Sequence, residues 1–96
     1  MTFDTLPEAL KAPLRIAVLS ALFNGEKDFR ALKDILKVTD GNLSVQLNNL
    51  ETYGCIESIR VSGEKRRRTL YRITDEGKKL LTEYVALLSR SIGEDN

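Results

Sequence analysis

Lys65, Arg66, Arg67 and Arg68 stand in a row in a chain whose formal net charge is only +1. Residues 60–72 carry six basic side chains (Arg60, Lys65, Arg66, Arg67, Arg68, Arg72) against one acid, Glu64, which leaves nine basic and thirteen acidic groups to the other 83 residues. The whole positive excess therefore sits in one short segment. Adjacent cations repel one another, and a bound anion relieves that repulsion, so the chemistry this run suits is contact with phosphate oxygens. Basic residues on a hairpin also serve simply to block strand pairing, but that job does not need four in succession.

A second group is chemically different. Thr39, Asp40, Gly41, Asn42, Ser44, Val45, Asn48 and Asn49 are small, polar or amide-bearing, with no Lys or Arg anywhere in 38–53. An asparagine amide can pair with adenine, a serine hydroxyl with several base edges, and a valine methyl with the methyl of thymine. A helix that starts at Thr39 would also offer its N-terminus to a phosphate. Alone, such a face reads as solvated surface; the basic run beside it is what turns it into a candidate base-reading surface.

Other chemistries are poorly provided for. The chain has no histidine and a single cysteine, Cys55, which removes the commonest general base, the commonest metal ligand and any internal disulfide. No nucleophile motif or glycine-rich phosphate loop is present. Asp75/Glu76 and Glu94/Asp95 read as a helix start and a tail, Cys55 as a packing residue, and Tyr53, Tyr71 and Tyr84 as half-buried. No enzyme, metal or cofactor is expected. No run approaches the roughly 18 apolar residues of a membrane span, and the N-terminus lacks the basic and apolar regions of a signal peptide. A cytoplasmic protein is expected, with no membrane partner.

The elements that must position these groups follow from periodicity and caps. The 96 residues amount to one domain. A first helical region begins near Asp4 or Thr5 and is broken or restarted at Pro13. From there Ile16, Leu19, Leu22 and Phe23 form a stripe. Asp28 caps a second helix with Phe29, Leu32, Ile35 and Leu36 at helical spacing. Thr39 caps a third, Asp40 to Tyr53, in which Leu43, Leu47 and Leu50 mark the buried side, Tyr53 extends it and Gly54 supplies a left-handed exit. Cys55–Val61 and Thr69–Ile73 read as two strands of a hairpin with the basic cluster at its tip. Thr74 caps a last helix to about Ile92. The expected architecture is α+β, mostly α: a helix-turn-helix over about 28–53, a two-stranded hairpin over about 55–73 and a C-terminal helix over about 75–92.

Phe29-Arg-Ala-Leu-Lys-Asp-Ile-Leu, followed by Thr39-Asp-Gly-Asn-Leu-Ser-Val-Gln-Leu-Asn-Asn-Leu, resembles the helix-turn-helix of winged-helix regulators of the MarR and ArsR kind. Arg68-Thr-Leu-Tyr-Arg-Ile-Thr-Asp-Glu-Gly77 is similar to their second wing strand and the helix start after it. The closest likeness is to the short, single-domain winged helix DNA-binding members, over roughly residues 8–90. It implies a transcriptional regulator that binds double-stranded DNA, with the third helix in the major groove and the wing on phosphates or the minor groove. Similar proteins dimerise through terminal helices. The C-terminal helix here carries two adjoining apolar rows, Leu80, Tyr84, Leu87 and Leu81, Val85, Leu88, Ile92, wider than docking on a small core requires. Packed with Phe3, Leu6 and Leu10, that band is the candidate homodimer interface; the rival is that the chain's own core consumes both rows. The competing function is a winged helix that binds an acidic protein partner without specific DNA recognition.

Overall fold

A computed structural model describes residues 1–63 and 67–93. The N-terminal stretch is two short 3-10 turns rather than the start of a helix. Thr2, not Asp4 or Thr5, sits at the cap of the turn Phe3–Thr5, its hydroxyl 2.8 Å from that of Thr5. The turn Glu8–Leu10 drops Ala9 and Leu10 into the core. Pro13, whose missing N–H costs nothing at a first helical position, opens α1 (Pro13–Leu22). The buried side of α1 is Arg15, Val18, Leu19 and Leu22, whereas Phe23 is exposed and Ile16 only half-buried. The expected stripe is thus rotated, because Arg15 takes up part of the inward face.

Lys27–Asp28 forms a two-residue strand, β1, absent from the expected hairpin. Asp28 then caps α2 (Phe29–Leu36), its Oδ1 accepting the Ala31 N–H at 2.8 Å. Leu32 is fully buried; Ile35, expected inside, is exposed. Lys37 adopts the left-handed region (φ 54°) and makes the tight link to α3 (Asp40–Thr52). Thr39 caps that helix through the Asn42 N–H, and Leu43, Leu47 and Leu50 are buried as the spacing requires. At its end the Gly54 N–H donates to Glu51 O and the Cys55 N–H to Leu50 O, with Gly54 at φ 74°. This pair of bonds around a left-handed glycine satisfies the last carbonyls of the helix.

Strands β2 (Ile56–Ser62) and β3 (Arg67–Ile73) pair antiparallel, Ile56 opposite Ile73 and Ser62 opposite Arg67. β1 lines the other edge of β3, giving a three-stranded sheet in the order β1-β3-β2. α4 (Asp75–Gly93) follows at once. Its start is locked to the end of α3. The Thr74 hydroxyl donates to Gly54 O (2.6 Å) and accepts from the Gly77 N–H (3.1 Å), while the Thr74 N–H donates to Cys55 O. A Cβ on Gly77 would lie 2.2 Å from Cys55 O, so only glycine allows this approach. Helices α1 to α4 with this small sheet make a winged helix fold, mostly helical.

Candidate nucleic-acid interface

With Leu43, Leu47 and Leu50 committed to the core, the opposite side of α3 is open. Asp40, Gly41, Asn42, Ser44, Val45 and Asn48 are all exposed, Val45 at 54%. Nothing lies within 4 Å of the place a Gly41 side chain would occupy, so the backbone itself can be approached there. The other candidates are partly engaged. Thr39 uses its hydroxyl on the Asn42 N–H. Asn49 is half-buried and donates from Nδ2 to Gln46 Oε1 at 3.3 Å. Asp40, an acid at the leading end of the helix, is held by Lys33, Nζ to Oδ1 2.7 Å.

On the wing, Lys65 and Arg66 lie outside the described residues, as does the side chain of Arg67. Arg68 is exposed and 3.6 Å from Asp28 Oδ2. Strand alternation puts it on the face of Leu70 and Arg72, opposite to that of Ile73 and Tyr71. Arg72 is forked onto Glu57 of the neighbouring strand, with Nε to Oε1 at 2.8 Å, so part of the positive excess is neutralised inside the wing.

Sequence reasoning missed three cations. Arg30, Lys33 and Lys37 recur at i, i+3, i+7 and so share one side of α2 and its exit. Arg30 and Lys33 line, with Phe29, Asp34 and Asp40, the shallow cleft at the elbow between α2 and α3. Arg30 and Lys37 are exposed, and Lys33 is half-buried beside Asp40. The helical spacing was the signal that would have found them.

It also missed Arg15. This guanidinium is 9% exposed, donates from Nη2 to Glu8 O (2.7 Å) and from Nη1 to Gln46 Oε1 (2.8 Å), and lies 5.7 Å from the Tyr53 ring centroid. It ties the N-terminal turn to α3. Tyr53 itself is exposed rather than part of the buried stripe. Glu8 has its carboxyl held below the ordinary range, first by a hydrogen bond from Lys11 and with Arg15 as a minor contributor.

The proposed interface residues divide. Leu10 (2% exposed) and Leu81 (5%) belong to the protomer's own core, Leu87 is buried as well, and Leu80 and Tyr84 pack against that core. Phe3, expected to meet the C-terminal band, does so within the protomer, edge-on to Tyr84 at 6.5 Å. Val85, Leu88 and Ile92 (83%) remain exposed, while Leu6 is half-buried. Cys55 is fully buried, and burial pushes its thiol up from the ordinary 9.0, with Glu76 adding to the effect. Burial likewise raises Tyr71, helped by Glu51. Among the described residues no helix is long and apolar enough to cross a membrane.

Known proteins match this arrangement. Residues 14–92 match the family described as winged helix DNA-binding domain. An uncharacterized protein of Methanocaldococcus jannaschii is 33% identical over 73 residues, 75% of this chain and 79% of its own length. The structure of a transcriptional regulator homologue protein from Pyrococcus horikoshii superposes with a TM-score of 0.82 at 26% identity, covering 91% of this chain and 87% of that one. Bacillus subtilis PadR in complex with operator DNA superposes at 0.70 with 23% identity; the match takes in 77% of this chain but only 47% of PadR. A PadR family transcription regulator from Clostridium difficile gives 0.76 at 21%, over 86% and 93% of the two chains. At these identities the PadR likenesses establish the fold. The family match does not reach the narrower resemblance to MarR and ArsR regulators.

Proposed function

The chain belongs to the winged helix DNA-binding domain family, and from that premise we propose that it is a transcriptional regulator that binds double-stranded DNA sequence-specifically as a homodimer. In kind it stands closer to PadR, whose structure was determined on operator DNA, than to MarR or ArsR. The observation that carries the reading is the juxtaposition on one body of an uncharged, solvent-facing row, Asn42, Ser44, Val45 and Asn48, with cations on the preceding helix and on the wing. Such a row can enter the major groove and meet base edges. Arg30, Lys33 and Lys37 then lie toward the phosphates that flank the groove. Lys65, Arg66, Arg67 and Arg68 reach phosphates or the adjacent minor groove. Asp40, clamped by Lys33, is suited to accept from a cytosine amino group rather than to meet phosphate.

The homodimer reading rests on Val85, Leu88 and Ile92, which stand exposed along α4, with exposed Phe23 beside Val85 in an apolar cleft that Leu81 floors. Phe3, Leu6 and Tyr84 line a cleft with Pro13 and Ile16, whereas Leu10, Leu80, Leu81 and Leu87 are buried or half-buried within the protomer. A two-fold pair presents two α3 helices to half-sites one helical turn apart, about 34–36 Å. The reading assigns the protein no catalytic step and no cofactor, and places it in the cytoplasm with the chromosome.

Selection of bound duplexes from a random pool, followed by a salt titration of the winner, tests this. An enriched inverted repeat, with log affinity falling by about 0.9 per phosphate contact against log salt, is the expected result. No affinity in dilute buffer would overturn the regulator reading. Binding without any enriched sequence would favour a module for acidic protein partners.

A further inference from the structure

Arg15 is the one charged residue in the core among the described residues, and its surroundings dictate the polarity of amides on α3. A guanidinium only donates. The atom of Gln46 that Arg15 Nη1 meets at 2.8 Å must therefore be the carbonyl Oε1, not the amide nitrogen. That oxygen is also the partner of the Asn49 side chain at 3.3 Å, so Asn49 must turn its Nδ2 toward it. One arginine thus removes the rotational ambiguity of two amides in succession. Among the described residues Asn49 Oδ1 and the second Nδ2 hydrogen have no protein partner, and Asn49 keeps part of its surface exposed. An acceptor beside a donor, held in fixed order, is the pattern that pairs with the amino group and N7 of adenine. Arg15 is itself held by Glu8 O and faces the Tyr53 ring, and it has no access to a groove.

We infer that Arg15 is a positioning residue for base recognition: through Gln46 it sets the amide of Asn49 so that α3 meets DNA with a fixed donor–acceptor pair that selects adenine. This rests on the DNA-binding reading above. The arrangement is preorganised, so no rotamer freedom is lost on binding at that amide. Among the described residues the guanidinium is anchored through Nη1 and Nη2.

The test uses the full chain, with Gln46→Met, which keeps length and shape but accepts no hydrogen bond from Asn49, and Gln46→Glu, which still accepts from both Arg15 and Asn49. Arg15→Met is the third variant. In the wild type, the Asn49 side-chain amide proton donated to Gln46 Oε1 should be displaced from its free-asparagine resonance position. That displacement should vanish in Gln46→Met and Arg15→Met and persist in Gln46→Glu. In duplex selection, Gln46→Met should lose about tenfold of discrimination at one adenine per half-site, with other positions and the salt slope unchanged, while Gln46→Glu keeps that preference. A uniform loss of affinity with an intact base profile, or an Asn49 amide indifferent to Gln46→Met, would overturn the inference. Failure of the wild type to bind any duplex would instead strike the DNA-binding reading, and the resonance comparison would still decide whether Arg15 sets the amide.

Discussion

The third helix and the wing are adjacent, yet they are built on opposite principles. α3 has no Lys or Arg, is capped at both ends and is tied by its flank to a buried arginine. The wing concentrates the positive charge of the chain at its tip and is secured at its base, where Thr74 and Gly77 close on Gly54 and Cys55. The difference teaches a division of labour. Directional hydrogen bonds discriminate only when their donors and acceptors are rigidly placed, whereas attraction to a uniform row of phosphates tolerates a mobile or imprecise cation.

The largest effect that would break this division is removal of the wing charge. Arg66, Arg67 and Arg68 replaced together by Ala should flatten the slope of log affinity against log salt by about 0.9 for each arginine that sits on a phosphate. The preferred base sequence should survive. A salt slope equal to the wild type would take the wing out of the interface.

Gly77→Ala tests the joint rather than either partner. In an ordinary helix that change stabilises by about 1 kcal/mol. Here the new methyl would meet Cys55 O at 2.2 Å and Ile73 Cγ1 at 2.8 Å. Forcing a group into packed surroundings costs about 1–3 kcal/mol, so the urea midpoint should fall. A rise in the midpoint would mean that α4 and the exit of α3 do not pack this closely.

Sharpening the other side of the comparison, Asn48→Ala should leave stability within about 0.5 kcal/mol, since the side chain is exposed. It should cost about 1–3 kcal/mol of discrimination at one base pair and leave the salt slope alone. An altered salt slope with unchanged base preference would reverse the roles assigned to the two regions.

How far these regions were legible in the sequence depended on whether their chemistry is local. Asp28, Thr39 and Thr74 announce helix starts, and Gly54 a helix end, because a cap acts within a few residues. Leu43, Leu47 and Leu50 declare a buried side through spacing alone. Arg15 was not legible, because what makes its burial tolerable lies elsewhere: a backbone carbonyl at Glu8 and an amide 31 residues on, at Gln46. β1 was hidden because two residues carry no period, and its pairing with Leu70 and Tyr71 is set by the fold. Spacing likewise could not allot apolar residues between core and surface. Ile35 and Phe23 share a helical pattern with buried neighbours yet remain exposed, while Leu10 and Leu81, expected at a partner, are taken by the protomer itself. The cations of α2 are readable from their i, i+3, i+7 spacing, but their place beside the start of α3 is set by the fold.

The smallest expected effect probes the seam between the two regions. Cys55 lies between Gly54 and β2, fully buried, with its thiol pushed above the ordinary 9.0 by burial. Below that value both folded and unfolded chains keep the thiol proton. As pH rises past it, the unfolded chain releases the proton first, which favours unfolding, so this contribution to stability is present at neutral pH and lost through the alkaline range up to the raised folded value. Tyr71, also raised, adds a similar loss starting nearer its ordinary 10.0. The wild type should therefore lose stability more steeply than Cys55→Ala as the pH rises above about 9. The same burial makes the thiol inert to an aromatic disulfide reagent in native buffer, so its slow labelling reports how often the seam between α3 and the wing opens. Gly77→Ala should speed that labelling and Asn48→Ala should not. Equal rates in all three proteins would mean that the close approach of Gly77 to Cys55 does not hold the seam shut.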